Sequence, residues 1–300
     1  MKSKISIILL IVVFIFTGII FSCKSISNFM QREGTKKVLG NNLTYAIGAS
    51  ADAISSANED INPEQEYYIG RAVAAKLLSS YKLYNRKPAL TTYLNNICAA
   101  ITLNSPRPDI YNGYHVALLD SDEINGFATP GGHIYVTRGL ISAAKSEDQL
   151  AGIIAHEVAH IQLKHGINAI KNSRKTQAWL VTGTAVSGVA GGTDVKQLTD
   201  ALNESFSELV QTLVSNGYSQ TQEFDADNTA LALMAGAGYD PSGLINMLMS
   251  LGSIQVDDSG FGKTHPSPAQ RIVNAQKSIG KYKAASTSAS RQKRFAVAIK

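Results

Sequence analysis

The 300-residue sequence contains only two cysteines, Cys23 and Cys98. Because Cys23 directly follows a predicted N-terminal targeting segment and is the predicted lipidation site, Cys98 has no partner for an intramolecular disulfide, and a disulfide-stabilised scaffold is excluded. Cys98 lies in a helical pattern of apolar residues, and we expect it to be a small buried residue without a chemical role.

Charged residues are also few, at 17% of the chain against 44% hydrophobic residues. This balance supports a hydrophobic core, in one large domain or two small ones, and excludes a largely disordered chain. The formal net charge is +5, with much of the basic excess at the two ends. Since the sequence carries no helix-turn-helix or RNA-binding signature, we expect no nucleic-acid partner.

Long apolar runs are scarce, and the main one lies at the N-terminus, where two lysines precede residues 5–16. This arrangement is typical of a secretion signal, so residues 1–22 are predicted to be a lipoprotein signal peptide and residues 23–61 a tether. A second apolar stretch, at residues 177–193, is rich in small residues and is too short and interrupted for a membrane span.

The four residues Ile20-Phe-Ser-Cys23 resemble the lipobox of bacterial lipoproteins, which makes Cys23 the predicted lipidation site. Phe21 is bulkier than the residue usual at its position, so an uncleaved anchor helix and a soluble secreted product are the alternatives. Lys24 follows the cysteine in place of a sorting aspartate and favours the outer membrane. The predicted location is therefore the periplasmic side of the cell envelope, with a lipid anchor in the membrane.

A His-Glu-x-x-His motif lies in the middle of the chain, at His156, Glu157 and His160. Ser146 and Gln149 form a capping box before it, so a helix is expected, and on a helix the two imidazoles share a face and can reach one ion. A third protein ligand would leave one zinc position open for chemistry, with the glutamate beside it as general base. The pattern indicates a zinc peptidase, and a chance occurrence is the alternative.

A second acidic pair, Glu223 and Asp227, is spaced four residues apart and shares a face of another predicted helix. One carboxylate can ligate the metal while the other orients a ligand histidine. A Glu-x-x-x-Asp pair is commonplace and usually solvated, but the apolar residues around this one predict a buried helix, where unpaired carboxylates would be costly.

Three short extended segments, residues 114–119, 124–128 and 132–137, precede the motif and predict a small sheet. Two helices are expected before the sheet, over residues 65–84 and 88–103, and Asn62-Pro63-Glu64 is predicted to form the cap and first turn of the first one. The predicted fold class is therefore α+β, mainly helical, with a small sheet preceding the helix that carries the motif.

These motifs and their order resemble the bacterial periplasmic members of the CAAX prenyl protease-like zinc metallopeptidases, the BepA/LoiP/Oma group of gluzincins. The matching segments are residues 62–66, 125–140, 156–160, 222–227 and 264–272. Gln220 and Gly126 depart from the family's frequent arginine and alanine, but neither departure removes a ligand.

The resemblance implies a zincin-type metallopeptidase domain over residues 62–282. The basic residues at 283–300 predict a disordered tail after it. The resemblance also implies one zinc ion per chain and a role for each motif residue. The implied zinc ligands are His156, His160 and Glu223, the general base is Glu157, the partner of a ligand histidine is Asp227, and the histidine at the cleft is His265. His265 is either a catalytic donor or a plug on the open zinc position.

In zinc peptidases of this design an edge strand faces the cleft and pairs with extended substrate. The residues predicted to bind substrate are Asn125, Phe127, Ala128 and His133. The implied function is a zinc-dependent endopeptidase of the bacterial cell envelope that cleaves misfolded or unassembled envelope proteins. The alternatives are an envelope chaperone or assembly factor with weak or gated peptidase activity, and a zinc-binding structural domain.

Overall fold

A computed structural model of the chain describes residues 61–103, 105–172, 211, 215–254, 264–265, 267–283 and 289–300. The predicted signal peptide, Cys23, the tether up to residue 60 and the apolar stretch at 177–193 lie outside these residues. The chain divides into two units, and the fold below is that of the unit formed by Ile61–Asn168 and Leu209–Lys300. Within the described ranges, no helix is long and apolar enough to cross a bilayer.

The elements are numbered in chain order. The helices are α1 (Pro63–Ser80), α2 (Pro88–Leu103), α3 (Arg138–Ala143), α4 (Glu147–Gln162), α5 (Gln220–Gly236), α6 (Ser242–Ser253), α7 (Pro268–Ile279) and α8 (Ala289–Ile299), and the strands are β1 (His115–Leu119), β2 (Gly126–Thr129) and β3 (His133–Thr137). The predicted class is confirmed, because the fold is mainly helical and a small sheet precedes the motif helix α4.

Helix α1 begins where the sequence predicts and ends earlier. Asn62 caps it through a reciprocal capping box with Gln65, and proline occupies the first turn. The predicted helix ran to Tyr84, but Tyr81 is extended, Leu83 forms a bridge with Leu119, and the Tyr84 N–H donates to the Leu118 carbonyl. The end of the apolar pattern therefore lies along the edge of β1 instead of continuing the helix.

The sheet has the strand order β1-β3-β2. Strands β1 and β3 are parallel, with His115 opposite His133, and β2 is antiparallel to β3, with Gly126 opposite Val136. The turn between β2 and β3 includes Gly131, whose φ of 73° and close approach to the α1 backbone require glycine. The strand order places β2 at one edge of the sheet, and the turn that follows β2 packs against α1.

Helix α4 is the centre of the core, since every residue from Glu147 to Ile161 is buried. It packs against α2, α5, α6 and β2. Gly152 permits the approach of α6, because a Cβ there would lie 2.8 Å from the Leu244 Cα. The motif is thus held in a helix whose orientation is fixed from several sides.

Residues 283–300 were predicted to be disordered, but the structure differs, because they contain helix α8. Phe295, Ala298 and Ile299 pack against the core, and the Arg294 guanidinium lies 2.6 Å from the Glu147 carboxylate. The prediction rested on the density of basic residues. It overlooked the helical spacing of these three apolar side chains.

Candidate metal centre

The two motif histidines meet at the middle of α4. Ser146 caps the helix by accepting from the Gln149 N–H, although the Gln149 side chain accepts from Lys145 and not from Ser146 as a full capping box requires. His156 and His160 follow one turn apart, both buried, with their Nε2 atoms 3.0 Å apart. Helix α4 therefore directs the Nε2 atoms of both histidines to the same place.

Helix α5 brings a carboxylate to the same point. Ser219 and Gln222 form a capping box at its start, which places Glu223 in the first turn. The Glu223 oxygens lie 3.4 Å from His156 Nε2 and 3.4 Å from His160 Nε2. Ligand atoms on a tetrahedral zinc ion are about 3.3 Å apart when the bonds are about 2.0–2.1 Å long, so these three residues fit the ion.

His265 reaches the same group from the segment before α7. Its Nδ1 lies 2.8 Å from Glu223 Oε2, and one ligand atom each from His156, His160, Glu223 and His265 lies within 4.8 Å of the others. These four residues are called the metal centre below. The neighbouring Thr264 hydroxyl donates to the Asn125 side chain, which ties the segment to the start of β2.

Asp227 and Arg271 support His156 from behind. Asp227 Oδ1 lies 3.0 Å from His156 Nδ1, and Arg271 donates two hydrogen bonds to the same carboxylate, of 2.9 and 2.6 Å. When Nδ1–H donates to Asp227, the Nε2 lone pair faces the metal centre. Arg271 is fully buried, and no motif in the sequence predicts its role.

Two further residues contact the His160 ring, and no motif in the sequence predicts a role for either of them. His165 Nδ1 lies 2.8 Å from His160 Nδ1, and the Tyr218 ring stacks on the His160 ring at 4.4 Å and 18°. His165 lies five residues after His160, a spacing visible in the sequence. The contact depends on the turn at Lys164, whose φ is 55°.

The buried charges leave the centre negative. Glu157, Glu223 and Asp227 are buried carboxylates, and Arg271 is the buried guanidinium among them. With neutral imidazoles the net charge is therefore minus two. Glu223 Oε1 accepts no hydrogen bond from the described residues, although it is buried. Both observations fit a divalent cation, which would neutralise the charge and bind that oxygen.

The pKa values follow the same pattern. Burial lowers the pKa of His160 to about 3, which keeps its imidazole neutral and able to ligate. Burial and Arg271 also disfavour the charged form of His156, but the Asp227 and Glu223 carboxylates outweigh them and raise its pKa to about 9. The same negative field favours a bound cation.

Glu157 lies between the motif helix and the edge strand. Burial raises the pKa of its carboxyl group, which makes the carboxylate a stronger base than an exposed glutamate. A Cβ atom on Gly126 would lie 3.0 Å from Glu157 Oε1. The glycine, where the family frequently has alanine, therefore leaves room for this carboxylate at the start of β2.

The backbone groups of β2 point alternately to the partner strand β3 and to the unpaired edge of the sheet, and all four residues of β2 are buried. The Thr137 N–H donates to the Asn125 carbonyl, so Asn125 and Phe127 pair with β3 while Gly126 and Ala128 direct their N–H and C=O groups outward. The Phe127 side chain packs on Tyr81 on the opposite face of the strand. Phe127 therefore faces away from the metal centre, whereas Ala128, which is also buried, packs with the core residues of α4, and the substrate-binding roles stay predictions.

The other two residues predicted to bind substrate make internal contacts. The Asn125 side-chain oxygen accepts from the Gly126 N–H at 2.9 Å and from Thr264 at 3.1 Å. The His133 ring packs on Tyr67 of α1, with the centroids 5.3 Å apart. Both side chains are thus turned to neighbouring elements, and Asn125 supports the segment that carries His265.

A buried His-Glu-x-x-His helix whose imidazoles meet a glutamate from a second helix defines the site of a gluzincin-type metallopeptidase. The sequence also matches the profile of Peptidase family M48 over residues 86–279, which is more than half of the chain. The chain belongs to this family, whose peptidases depend on zinc. The predicted family and the predicted cofactor are confirmed.

Curated relatives of the chain are peptidases of bacteria and mitochondria. The beta-barrel assembly-enhancing protease of Escherichia coli (strain K12) is 26% identical over 242 residues, which cover 77% of this chain and 48% of that protein. The mitochondrial metalloendopeptidase OMA1 of Schizosaccharomyces pombe is 29% identical over 61% of this chain and 51% of its own length. Metalloprotease LoiP of Escherichia coli (strain K12) is 27% identical over 50% of this chain and 56% of its own length. The chain spans about half the length of the curated relatives it matches.

Proposed function

We propose that the chain is a zinc-dependent endopeptidase of the bacterial cell envelope that acts on misfolded or unassembled envelope proteins. The observation that carries this proposal is the mutual spacing of His156, His160 and Glu223, which is 3.0–3.4 Å. The similarity to a protease named for beta-barrel assembly supports the envelope location and the class of substrate.

In the proposed reaction His156, His160 and Glu223 hold the ion, and Asp227 keeps the His156 ring in the tautomer that binds it. Zinc, when bound, supplies a Lewis acid that polarises the scissile carbonyl and makes water more acidic. The Glu157 carboxylate takes a proton from the attacking water and later gives it to the leaving amine. The products are two peptides, and no covalent enzyme intermediate is formed.

The unpaired edge of β2, whose four residues are buried in the structure, is the proposed binding site for the peptide backbone. The outward C=O of Gly126 and the outward N–H and C=O of Ala128 can pair with an extended segment. Because Gly126 adjoins the Glu157 carboxylate, a peptide on this edge passes the general base. Pairing through the main chain gives little side-chain selectivity, which suits unfolded substrates of many sequences.

A second candidate function is an envelope chaperone or assembly factor whose peptidase activity is gated. The observation that favours it is the position of His265, whose Nδ1 lies 2.8 Å from Glu223 Oε2. An imidazole at this position competes with substrate and water for the ion. The two functions are compatible, because a gated peptidase can hold unfolded polypeptides without cleaving them.

The test is a comparison of wild type with Glu157→Gln. Each protein is assayed for bound zinc and for cleavage of an unfolded protein. The glutamine variant should bind about one zinc ion per chain and lose about 10²–10⁴-fold in turnover, because it keeps the shape of the side chain and removes the base. Glu64→Gln, on the exposed side of α1, is the matched control. Undiminished cleavage by Glu157→Gln would contradict the assigned role.

The proposed anchor has its own test. A palmitate analogue should label the wild type and fail to label Cys23→Ala, because two or three acyl chains on Cys23 would hold the protein on the membrane. Cys98→Ala is the matched control, since Cys98 is buried in the core and should not be acylated. Equal labelling of Cys23→Ala and wild type would rule the anchor out without affecting the proposed peptidase.

A further inference from the structure

A surface groove of about 640 Å³ lies between the start of α2 and helix α8. Its floor is apolar and is contributed by Pro88, Ala89, Leu90, Tyr93, Val297 and Ala298. Val297 is 68% exposed, although its neighbours in the sequence pack on the core. The volume falls in the range of about 300–1,000 Å³ that is typical of small-molecule sites. None of its lining residues belongs to the metal centre.

The rim of the groove is cationic. Lys87, Lys293, Arg294 and Lys300 line it. Arg294 is paired with Glu147 at 2.6 Å, and Lys87 donates to a main-chain oxygen of Lys300 at 2.8 Å, so both of these cations already have a partner. Among the described side chains, no carboxylate forms an ion pair with the three lysines. The groove therefore presents the uncompensated side-chain charges of Lys293 and Lys300 beside an apolar floor.

The positive charge of the groove follows from the composition of the C-terminal part of the sequence. Asp258 is the last acidic residue of the 300, so α7, α8 and the residues between them contain no carboxylate side chain. The Glu147 carboxylate, which comes from α4, is already paired. A ligand that enters the groove thus meets lysines on both walls and no opposing side-chain charge from α8.

We propose that the groove binds an anionic phospholipid, with the phosphate among Lys87, Lys293 and Lys300 and an acyl chain on the apolar floor. The charge of the rim matches the phosphate, and the floor matches the chain. The floor side chains offer no free hydrogen-bond donor, because the Tyr93 hydroxyl already donates to Glu147, so the backbone of an extended acidic peptide would lose hydrogen bonds to water and find none on this floor. An acyl chain has no such groups to satisfy.

The test uses soluble short-chain lipids, so that the N-terminal segment of the full chain does not determine the result. Dihexanoyl phosphatidylglycerol, below its micelle concentration, is titrated into the full-length protein by calorimetry. Dihexanoyl phosphatidylcholine and glycerol phosphate are the comparison ligands. The phosphatidylglycerol should bind more tightly than either, and its binding should weaken as salt is raised from about 0.05 to 0.5 M. Equal binding of phosphatidylcholine or of glycerol phosphate would overturn the proposal.

Variants locate the binding. Lys87→Gln combined with Lys293→Gln should weaken phosphatidylglycerol binding about 25-fold, since each lysine near an anionic lipid contributes about fivefold. The matched control is Lys277→Gln combined with Lys281→Gln, which removes the same charge from exposed sites outside the groove and should leave binding unchanged.

A further variant tests the apolar floor. Val297→Asp puts a negative charge on an exposed floor position and should abolish binding without unfolding the protein. Wild-type binding by this variant or by the Lys87/Lys293 double variant would overturn the proposal. So would an acidic amphipathic peptide that binds the groove when the lipid does not.

Discussion

Helix α4 contributes buried carboxylates to two groups of charged side chains, and the charges of the two groups are balanced in different ways. At its first turn, Glu147 lies 2.6 Å from Arg294 and Asp148 lies 3.5 Å from Arg291. We call these four residues the N-terminal cluster. Its two carboxylates face two guanidiniums, and the positive end of the helix dipole favours both acids.

The buried charges around the middle of the same helix are not balanced. Glu223 belongs to the metal centre, Glu157 and Asp227 lie beside it, and Arg271 is the buried guanidinium among these carboxylates. A buried charge without a partner costs several kcal/mol, so such an excess persists where a ligand supplies the missing charge. The comparison separates a structural ion-pair cluster from a binding site on one helix. It also predicts that a chelator affects one and leaves the other unchanged.

The largest change in turnover within this comparison is expected from His265→Ala, which sharpens the comparison because it changes a residue of the metal centre and leaves the buried carboxylates unaltered. If His265 covers the ion in about nine of ten molecules, its removal should raise turnover about tenfold at saturating peptide, with zinc retained. We expect this rise, because His265 completes a set of four ligand atoms within 4.8 Å of one another.

His265→Ala has a matched control, and two outcomes would contradict the expected rise in turnover. His115→Ala changes an exposed histidine on β1 and should leave turnover and zinc content unchanged. A loss of about 10²–10³-fold in His265→Ala would show that the imidazole supports the oxyanion instead. Wild-type turnover would exclude both roles.

Local patterns in the sequence were sufficient to predict one side of the metal centre. His156 and His160 share a helical face at any packing of the chain, and Glu223 and Asp227 do so on α5. The start of α1 at the Asn62 cap was predictable for the same reason, since a capping box involves only four consecutive residues.

The remaining side of the centre depends on how distant segments pack. Arg271 lies 44 residues from Asp227 in the sequence, and no local pattern distinguishes it from a solvated arginine. The orientation of Phe127 depends on which residues of β2 pair with β3, and a shift of one residue would reverse it. The helical tail was missed because α8 is stabilised by its contacts with the core, and its basic composition resembles that of a disordered segment.

Asp227→Asn is expected to change zinc affinity. The amide keeps the shape of the side chain but no longer attracts the His156 Nδ1–H with a full charge, so zinc affinity should fall about 10–100-fold without unfolding. Asp225→Asn is the matched control on the same helix, because Asp225 is exposed. Competition with a fluorescent chelator measures both affinities. Unchanged affinity in Asp227→Asn would remove the predicted role.

The smallest effect is expected from Glu147→Gln in the N-terminal cluster. The amide oxygen can still accept from the Tyr93 hydroxyl, which lies 3.0 Å from the carboxylate, and Arg294 is 54% exposed and stays solvated. The loss is therefore that of a partly screened ion pair and its interaction with the helix dipole, about 1 kcal/mol in the free energy of unfolding. Denaturant unfolding with and without zinc should give the same difference, since the cluster has no part in holding the ion. If Glu147→Gln lowered zinc affinity as much as Asp227→Asn, the two groups of charges on α4 would be one coupled network, and the division between a structural cluster and a metal centre would fail.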